Sequence, residues 1–303
     1  YGRSCLTAYS TGLGFAACWT GVGGGVRSPE VGEGSSRVDQ ALVTRGLARS
    51  RALARAYVDA GRVRRDGVVV AKASERVGPD DVLELEGEQE RWVGRAAYKL
   101  VGAFDAFGPR GLSAAGRRCL DVGASTGGFT QVLLERGARQ VTALDVGHGQ
   151  LVTQLQEDQR VVERSGTNVR EVGADDLGGP FDLVVSDLSF ISLRLVLDRL
   201  AALTTPGGDV VVLVKPQFEV GREVLGRTGV VRSARQRAEV TKAVVDEAAR
   251  HGLRAHGLVD SPVTGGTGNR EYLLWLAPRA EGMMSAMDLR AAFDRIAAER
   301  ADR

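Results

Sequence analysis

The sequence predicts an α/β protein: a mostly parallel sheet with helices on both faces, preceded by a small α+β module. Three observations predict it. A strand, a glycine-rich turn, a helix and a second strand follow one another over 117–149, and further apolar runs ending in charged residues come after them. Upstream, 37–85 changes to short elements that are punctuated by glycine and rich in arginine. The chain has 303 residues, 43% hydrophobic and 26% charged, enough for one large domain and one small one and incompatible with disorder along its whole length.

Composition also narrows the function classes. No apolar run reaches the roughly 18 to 20 residues that a bilayer span needs, so a membrane role is not expected. Cys5, Cys18 and Cys119 are far apart, lack a CxxC pair and are joined by only three histidines. Neither a disulfide framework nor a metal site follows, and a cytoplasmic protein is expected. The net charge is only +2, so attraction to nucleic acid must come from local clustering. Of the 40 basic residues four are lysines, at 72, 99, 215 and 242. Arginine keeps its charge, whereas a lysine amine becomes a base where desolvation or a neighbouring cation disfavours its charge, so these four invite scrutiny.

Taken in order, 1–36 carries nine glycines and no periodicity, and is expected to be a disordered extension. Val38, Leu42 and Val43 recur at helical spacing until Gly46; Ser50 can cap a second helix that runs to Ala60, and Gly61 ends it. Val63, Val68 and Val70 flank an Asp66-Gly67 turn, a hairpin signal, and Val82, Leu83 and Leu85 make a last strand. Arg45, Arg49, Arg51, Arg55, Arg62, Arg64 and Arg65 face one acid, Asp59, giving a local charge of 7 − 1 = +6. That reads as a phosphate-binding face, or more blandly as a solvated one. The run RVDQALVTRGLARSRALARAYVDAGRVRRDG through VGPDDVLEL resembles the S4 domain, a small RNA-binding module, and the resemblance implies docking on structured RNA through these arginines. Residues 86–95 read as a linker in which Trp92 packs on one of the domains.

The second domain, 96–280, opens with a helix from Tyr98 to about Phe107. Cys119–Val122 is a short buried strand; Gly123, Gly127 and Gly128 form a turn where the backbone can approach a ligand; Phe129–Arg136 is a helix; and Val141–Leu144 is a strand ending in Asp145, placed to hold ribose hydroxyls. This Rossmann-like unit lacks the GxGxxG spacing of dinucleotide sites. DxGxxxGG suits S-adenosyl-L-methionine better than NAD, with other nucleotide ligands left open. Phe181–Ser186 is a strand ending in Asp187, followed by a helix over 193–203. Val210–Val214 is a strand ending in Lys215, Ser233 caps a helix that Gly252 ends, and Glu271 starts the final strand. Parallel strands deliver Asp187 and Lys215 to the crevice that holds Gly123 and Asp145. Residues 281–303 form a short polar helix or tail.

Methyl transfer to an alcohol requires a base for the hydroxyl proton. Lys215 follows the apolar VVVLV, Lys99 is a second cation nearby, Asp187 can orient the Lys215 amine and Glu271 can hold Lys99. In RAAYKL, SDLSFIS, VKPQFE and GNREYLLWL these positions resemble the Lys-Asp-Lys-Glu tetrad of FtsJ-like ribose 2′-O-methyltransferases. With an S4 module in front and DVGASTGGFT in between, 37–278 resembles the TlyA family of rRNA (cytidine-2′-O)-methyltransferases, historically labelled haemolysins. The resemblance implies a class I methyltransferase fold, with Lys215 as proton acceptor and Lys99, Asp187 and Glu271 positioning the ribose. Gly123, Ala124, Ser125, Thr126, Gly127 and Asp145 would hold S-adenosyl-L-methionine, Asp175 or Asp176 would face its adenine, and ribosomal RNA in the large and in many members also the small subunit would be the partner. The rival readings are a noncatalytic RNA-binding assembly factor and a pore-forming haemolysin; the second lacks a spanning or strongly amphipathic segment.

Overall fold

The computed structural model describes residues 35–87, 91–221, 225 and 229–299. The chain divides after Gly87 into two compact units. The expected N-terminal extension lies outside the described residues except at its end, where Ser36–Arg37 is already strand β1.

The small unit continues with α1 (Val38–Thr44), α2 (Arg51–Asp59), β2 (Val63–Arg65), β3 (Val68–Val69), β4 (Arg76–Val77) and β5 (Leu83–Leu85). Gly46, at φ +71°, ends α1 in the left-handed region that glycine enters without strain. The Ser50 hydroxyl accepts from the Leu53 amide and caps α2. Asp66 and Gly67 both take positive φ, as a two-residue turn of type I′ requires, and β2 pairs with β3 around it. Strand β2 lies between β3 and β5, β1 pairs with β4, and Val38, Leu42, Ala54, Val58 and Val63 fill the core.

The large unit contains α3 (Ala97–Phe107), β6 (Arg118–Val122), α4 (Gly128–Glu135), β7 (Gln140–Asp145), α5 (Thr153–Gln156), β8 (Val161–Ser165), β9 (Phe181–Ser186), α6 (Leu197–Ala202), β10 (Thr204–Val214), α7 (Pro216–Glu219), α8 (Ala234–Arg250), β11 (Arg254–Asp260), β12 (Tyr272–Ala277) and α9 (Ala286–Ala297). Its seven strands run in the order β11-β12-β10-β9-β6-β7-β8, with β12 antiparallel to both neighbours. The pairings among β6, β7, β8, β9 and β10 are parallel. The two faces of the sheet bury separate apolar cores, one around Leu120, Val184, Val212 and Leu274, the other around Cys119, Val185, Val211 and Trp275. This alternation along each strand puts β6, β9 and β10 in the interior.

Several expectations need correction. The expected helix over 193–203 is a 3-10 turn at Leu193–Leu195 and then α6, broken at Val196. Strand β10 begins at Thr204 rather than Val210, with a register shift through Pro206-Gly207-Gly208 that hides it from a pattern reading. Strands β8 and β11 were not anticipated, because VVERS and RAHGLVD lack a sustained apolar run. Trp92 is buried in the core of the large unit. Helix α9 is capped by a reciprocal Ser285–Asp288 box and buries Ala292 and Ile296. Glu299 follows it and accepts from Arg237 Nη2 at 2.8 Å and from the Tyr272 hydroxyl at 3.1 Å. Met284 packs on the core while Met283 and Met287 are exposed.

Candidate active site

Strand order reverses direction at β6, so the crevice lies beyond the carboxyl ends of β6 and β9. Register aligns those ends: Val122 pairs with Ser186, which also pairs with Val212. The next residues of each chain, Gly123 and Asp187, therefore emerge together, with Lys215 just beyond β10. Lys99 reaches the same place from α3 and Glu271 from the start of β12.

Four charged side chains form one chain of contacts. Lys215 Nζ lies 2.8 Å from Asp187 Oδ1, Lys99 Nζ lies 3.2 Å from Asp187 Oδ2, and Lys99 Nζ lies 2.8 Å from Glu271 Oε2. Their side chains are only 8%, 12%, 8% and 3% exposed for Lys215, Asp187, Lys99 and Glu271. Buried charges persist only when paired, so each member fixes its neighbour. Lys215 Nζ also donates to Ser189 Oγ at 2.7 Å. The Lys215 amine thus sits between a carboxylate and a hydroxyl, not in the purely apolar surroundings suggested by VVVLV.

This chain lines a cavity of about 560 Å³, together with the Gly123–Thr126 loop, Phe190, Gln217 and Phe218. A second cavity of about 510 Å³ shares Gly123, Ser125, Asp187, Ser189 and Phe190 with it and extends past Asp145 to Thr167, Asn168, Val169 and Arg170. Asp145 ties the glycine loop down: its Oδ2 accepts from the Ser125 amide and its Oδ1 from the Gly147 amide, both at 2.8 Å. Ser125 is held at φ +48° and Gly123 at φ +86°; a Cβ on Gly123 would lie 3.2 Å from Leu188 Cδ2 and 3.4 Å from the Asp187 carbonyl oxygen. Ala124 and Thr126 line the first cavity.

Three of the expected cofactor residues, Gly127, Asp175 and Asp176, line neither of these two cavities. At φ +95° Gly127 precedes α4, and a Cβ there would run into the side chains of Leu155 and Leu151, so its bareness serves packing. Asp175 and Asp176 are exposed in the turn Asp175–Leu177, where Asp176 Oδ2 accepts from the Gly173 amide at 2.8 Å, and neither lines a cavity. Gly128 also serves packing, with its Cβ position 3.1 Å from the Ala97 amide nitrogen.

Beneath the loop, Asp121 is fully buried on β6. Burial pushes its carboxyl up to about 7, against the opposing hydrogen bond from Thr130 Oγ1 at 2.7 Å.

In the small unit the arginines have several partners. Arg37 Nε, Arg51 Nη2 and Arg55 Nε converge on the buried Asp39 carboxylate at 3.0, 3.2 and 3.1 Å. The Arg37 hydrogen bond, ahead of those from Arg55 and Arg51, holds that carboxyl well below the usual carboxylate range against the opposing effect of desolvation. Arg45 donates to the carbonyls of Gly78 and Asp81, Arg62 to that of Glu86, Arg64 to that of Gly67 and Arg65 to that of Arg76. Arg49 is exposed. The arginines therefore brace the module as well as charge its surface, instead of forming one uncommitted face.

The family model for FtsJ-like methyltransferases matches residues 92–277, and that for the S4 domain matches 36–83. The 16S/23S rRNA (cytidine-2′-O)-methyltransferase TlyA of Mycobacterium tuberculosis is 48% identical over 265 residues, covering 87% of this chain and 98% of that protein. The chain belongs to the TlyA family of FtsJ-like methyltransferases. Hemolysin A of Brachyspira hyodysenteriae is 34% identical, covering 78% of this chain and 98% of its own length. A solved structure described as a candidate hemolysin from Streptococcus thermophilus aligns at a TM-score of 0.64 and 37% identity, over 87% of this chain and 96% of that one.

For this TlyA-family methyltransferase, reading the sequence missed Ser189, Asn168 and Asp39. Ser189 lies two residues past Asp187 in the same motif, a signal that was available. Asn168 was hidden because β8, which leads to it, was not recognised. Asp39 lies ahead of the arginine cluster in the chain, and only the fold brings Arg51 and Arg55 onto it. Among the described residues no helix is long and apolar enough to cross a membrane, and no cluster of three or more His, Cys, Asp or Glu side chains could hold a metal.

Proposed function

We propose that this methyltransferase moves a methyl group from S-adenosyl-L-methionine to the ribose 2′-hydroxyl of cytidine in ribosomal RNA, with the S4 module docking the RNA. The observation that carries the reading is the buried Lys215–Asp187–Lys99–Glu271 chain on the wall of a cavity that adjoins the glycine loop. The residues around that loop fit the cofactor. Gly123 lets the backbone pass close without a Cβ, Asp145 ends β7 at the second cavity, and Asn168 and Val169 lie farther along the same wall. S-adenosyl-L-methionine, when bound, supplies an electrophilic methyl carbon on a sulfonium.

The chain's own groups do the rest. Lys215 Nζ accepts the 2′-hydroxyl proton as the ribose oxygen attacks. To do so the amine must first give up a proton, and Asp187 and the Ser189 hydroxyl are the groups in contact with it. Asp187 fixes the direction of both amines, and Glu271 holds Lys99 beside the sugar without leaving an unpaired buried cation. A 2′-hydroxyl exists only in RNA, so this chemistry and an RNA-docking module support one another. A ribosomal substrate would put its work in the cytoplasm.

The test uses the full chain, purified 30S and 50S subunits lacking the modification, and cofactor carrying a labelled methyl group. Lys215→Met is expected to lower kcat by about 10²- to 10⁴-fold, the range for removing a general base, with cofactor affinity retained. Label on a base rather than a ribose, or wild-type turnover by Lys215→Met, would overturn the reading.

A further inference from the structure

The reactive amine and its partners sit on two separate loops: Asp187 and Ser189 follow β9, whereas Lys215 follows β10. One side chain outside the cavity joins them. Glu219, four residues after Lys215 and 5% exposed, turns its carboxylate back onto the loop after β9. Its Oε2 accepts from Ser192 Oγ at 2.6 Å and from Arg194 Nε at 3.4 Å, and its Oε1 accepts from the Leu193 amide at 2.7 Å. Arg194 Nη2 donates in turn to the Glu219 carbonyl at 3.3 Å. None of these groups lines the reaction cavity.

The loop is thus fastened to the β10 side by polar ties at two places, Ser189 on Lys215 and Ser192–Arg194 on Glu219, with the Phe190 ring against that of Phe218 between them. Between the two ties runs Phe190, 91% exposed and at φ +65°. For a bulky side chain that conformation is strained, and beyond its contact with the Phe218 ring, centroids 5.3 Å apart, the exposed ring gains little burial to offset it. The loop keeps this shape because it is anchored on both sides. A buried carboxylate that receives three hydrogen bonds is a strong anchor, since any departure leaves an unpaired charge out of water.

We infer that Glu219 is a positioning residue for methyl transfer: by clamping the loop after β9 to the helix after Lys215, it keeps Ser189 Oγ on the Lys215 amine. This rests on the reading of Lys215 as the proton acceptor. Glu219 acts through Ser189 and touches no reacting atom.

Glu219→Gln keeps the side chain's shape and one acceptor while removing its charge. Ser192→Ala loosens the same clamp from the other side and carries the test should the first variant fold poorly. With the full chain on 30S and 50S subunits, either change is expected to lower kcat, by about tenfold to a hundredfold for Glu219→Gln, with the KM for RNA and the Kd for S-adenosyl-L-methionine within about twofold of wild type. In a Ser189→Ala background, Glu219→Gln should cost no more than a further factor of about two, because the group it positions is gone. Wild-type kcat in Glu219→Gln and Ser192→Ala, wild-type kcat in Ser189→Ala, or losses that multiply in the double variant would each overturn the inference. So would a loss of cofactor affinity matching the loss of kcat, which a merely structural role produces. Turnover by Lys215→Met would instead remove the underlying reading, whereas an inactive Lys215→Met beside a fully active Glu219→Gln removes only the inference.

Discussion

Replacing Asp121 by Asn should stabilise the large unit at neutral pH and do almost nothing in acid. Asp121 is fully buried on β6, and burial pushes its carboxyl from the ordinary 3.8 up to about 7. A folded state that holds the proton more tightly than the unfolded chain gains stability below the unfolded value and loses it as pH rises through the folded one. The distance between 3.8 and about 7 corresponds to a gap of about 4 kcal/mol once pH exceeds both values. Asparagine cannot ionise and still offers an oxygen to Thr130 Oγ1, which now lies 2.7 Å from the carboxylate. Variant and wild type should therefore unfold at similar urea concentrations near pH 4, differ by about 3 kcal/mol near pH 6 and by about 4 kcal/mol near pH 8, the variant being the more stable. Trp92 and Trp275 both lie in the core of this unit, so tryptophan fluorescence reports its unfolding. A difference that stays flat between about pH 4 and pH 8, or a variant less stable throughout, would show that Asp121 does not carry a raised affinity for its proton.

Gly127→Ala should destabilise the large unit by about 3 kcal/mol in the same urea experiment, since the new methyl group meets Leu155 and Leu151 and the backbone sits in the left-handed region. Asn168→Ala should weaken S-adenosyl-L-methionine by about tenfold in calorimetry, the worth of one hydrogen bond, while Asp175→Asn and Asp176→Asn stay within about twofold; the reverse order would return the adenine end to the aspartates.

What could be read in the sequence and what could not divide along a physical line. A strand buried on both faces announces itself as a run of β-branched and aliphatic residues, and VVVLV and FDLVVS are such runs. The charged residue that ends each run is thereby placed at the sheet's edge, which is why Asp187 and Lys215 could be picked out by position alone. Edge strand β8 is half-exposed and reads as polar, so Asn168, which follows it, does not stand out in the sequence, whereas the Asp175-Asp176 pair does. Arginine clustering was visible as charge, but charge counts do not say where a guanidinium points. Arg45 directs its donors to the turn after β4, 33 residues away, and Arg51 and Arg55 theirs to Asp39, 12 and 16 residues away.

The same distinction explains why the tetrad was legible and its support was not. Each tetrad member lies in or beside a buried element whose period fixes the side of the sheet or helix it serves, so convergence follows from topology. Ser189 and Glu219 belong to short connections without a period, and each is identified only by the partner it meets across the fold. Glu219 in particular reads as a surface acid one turn into a helix, yet it is buried because three donors from another loop converge on it. A pattern can locate an ionisable group at the end of a strand. Whether that group is held in one geometry depends on hydrogen bonds between segments distant in sequence, and here those of Ser189 and Glu219 join the loop after β9 to the segment after β10.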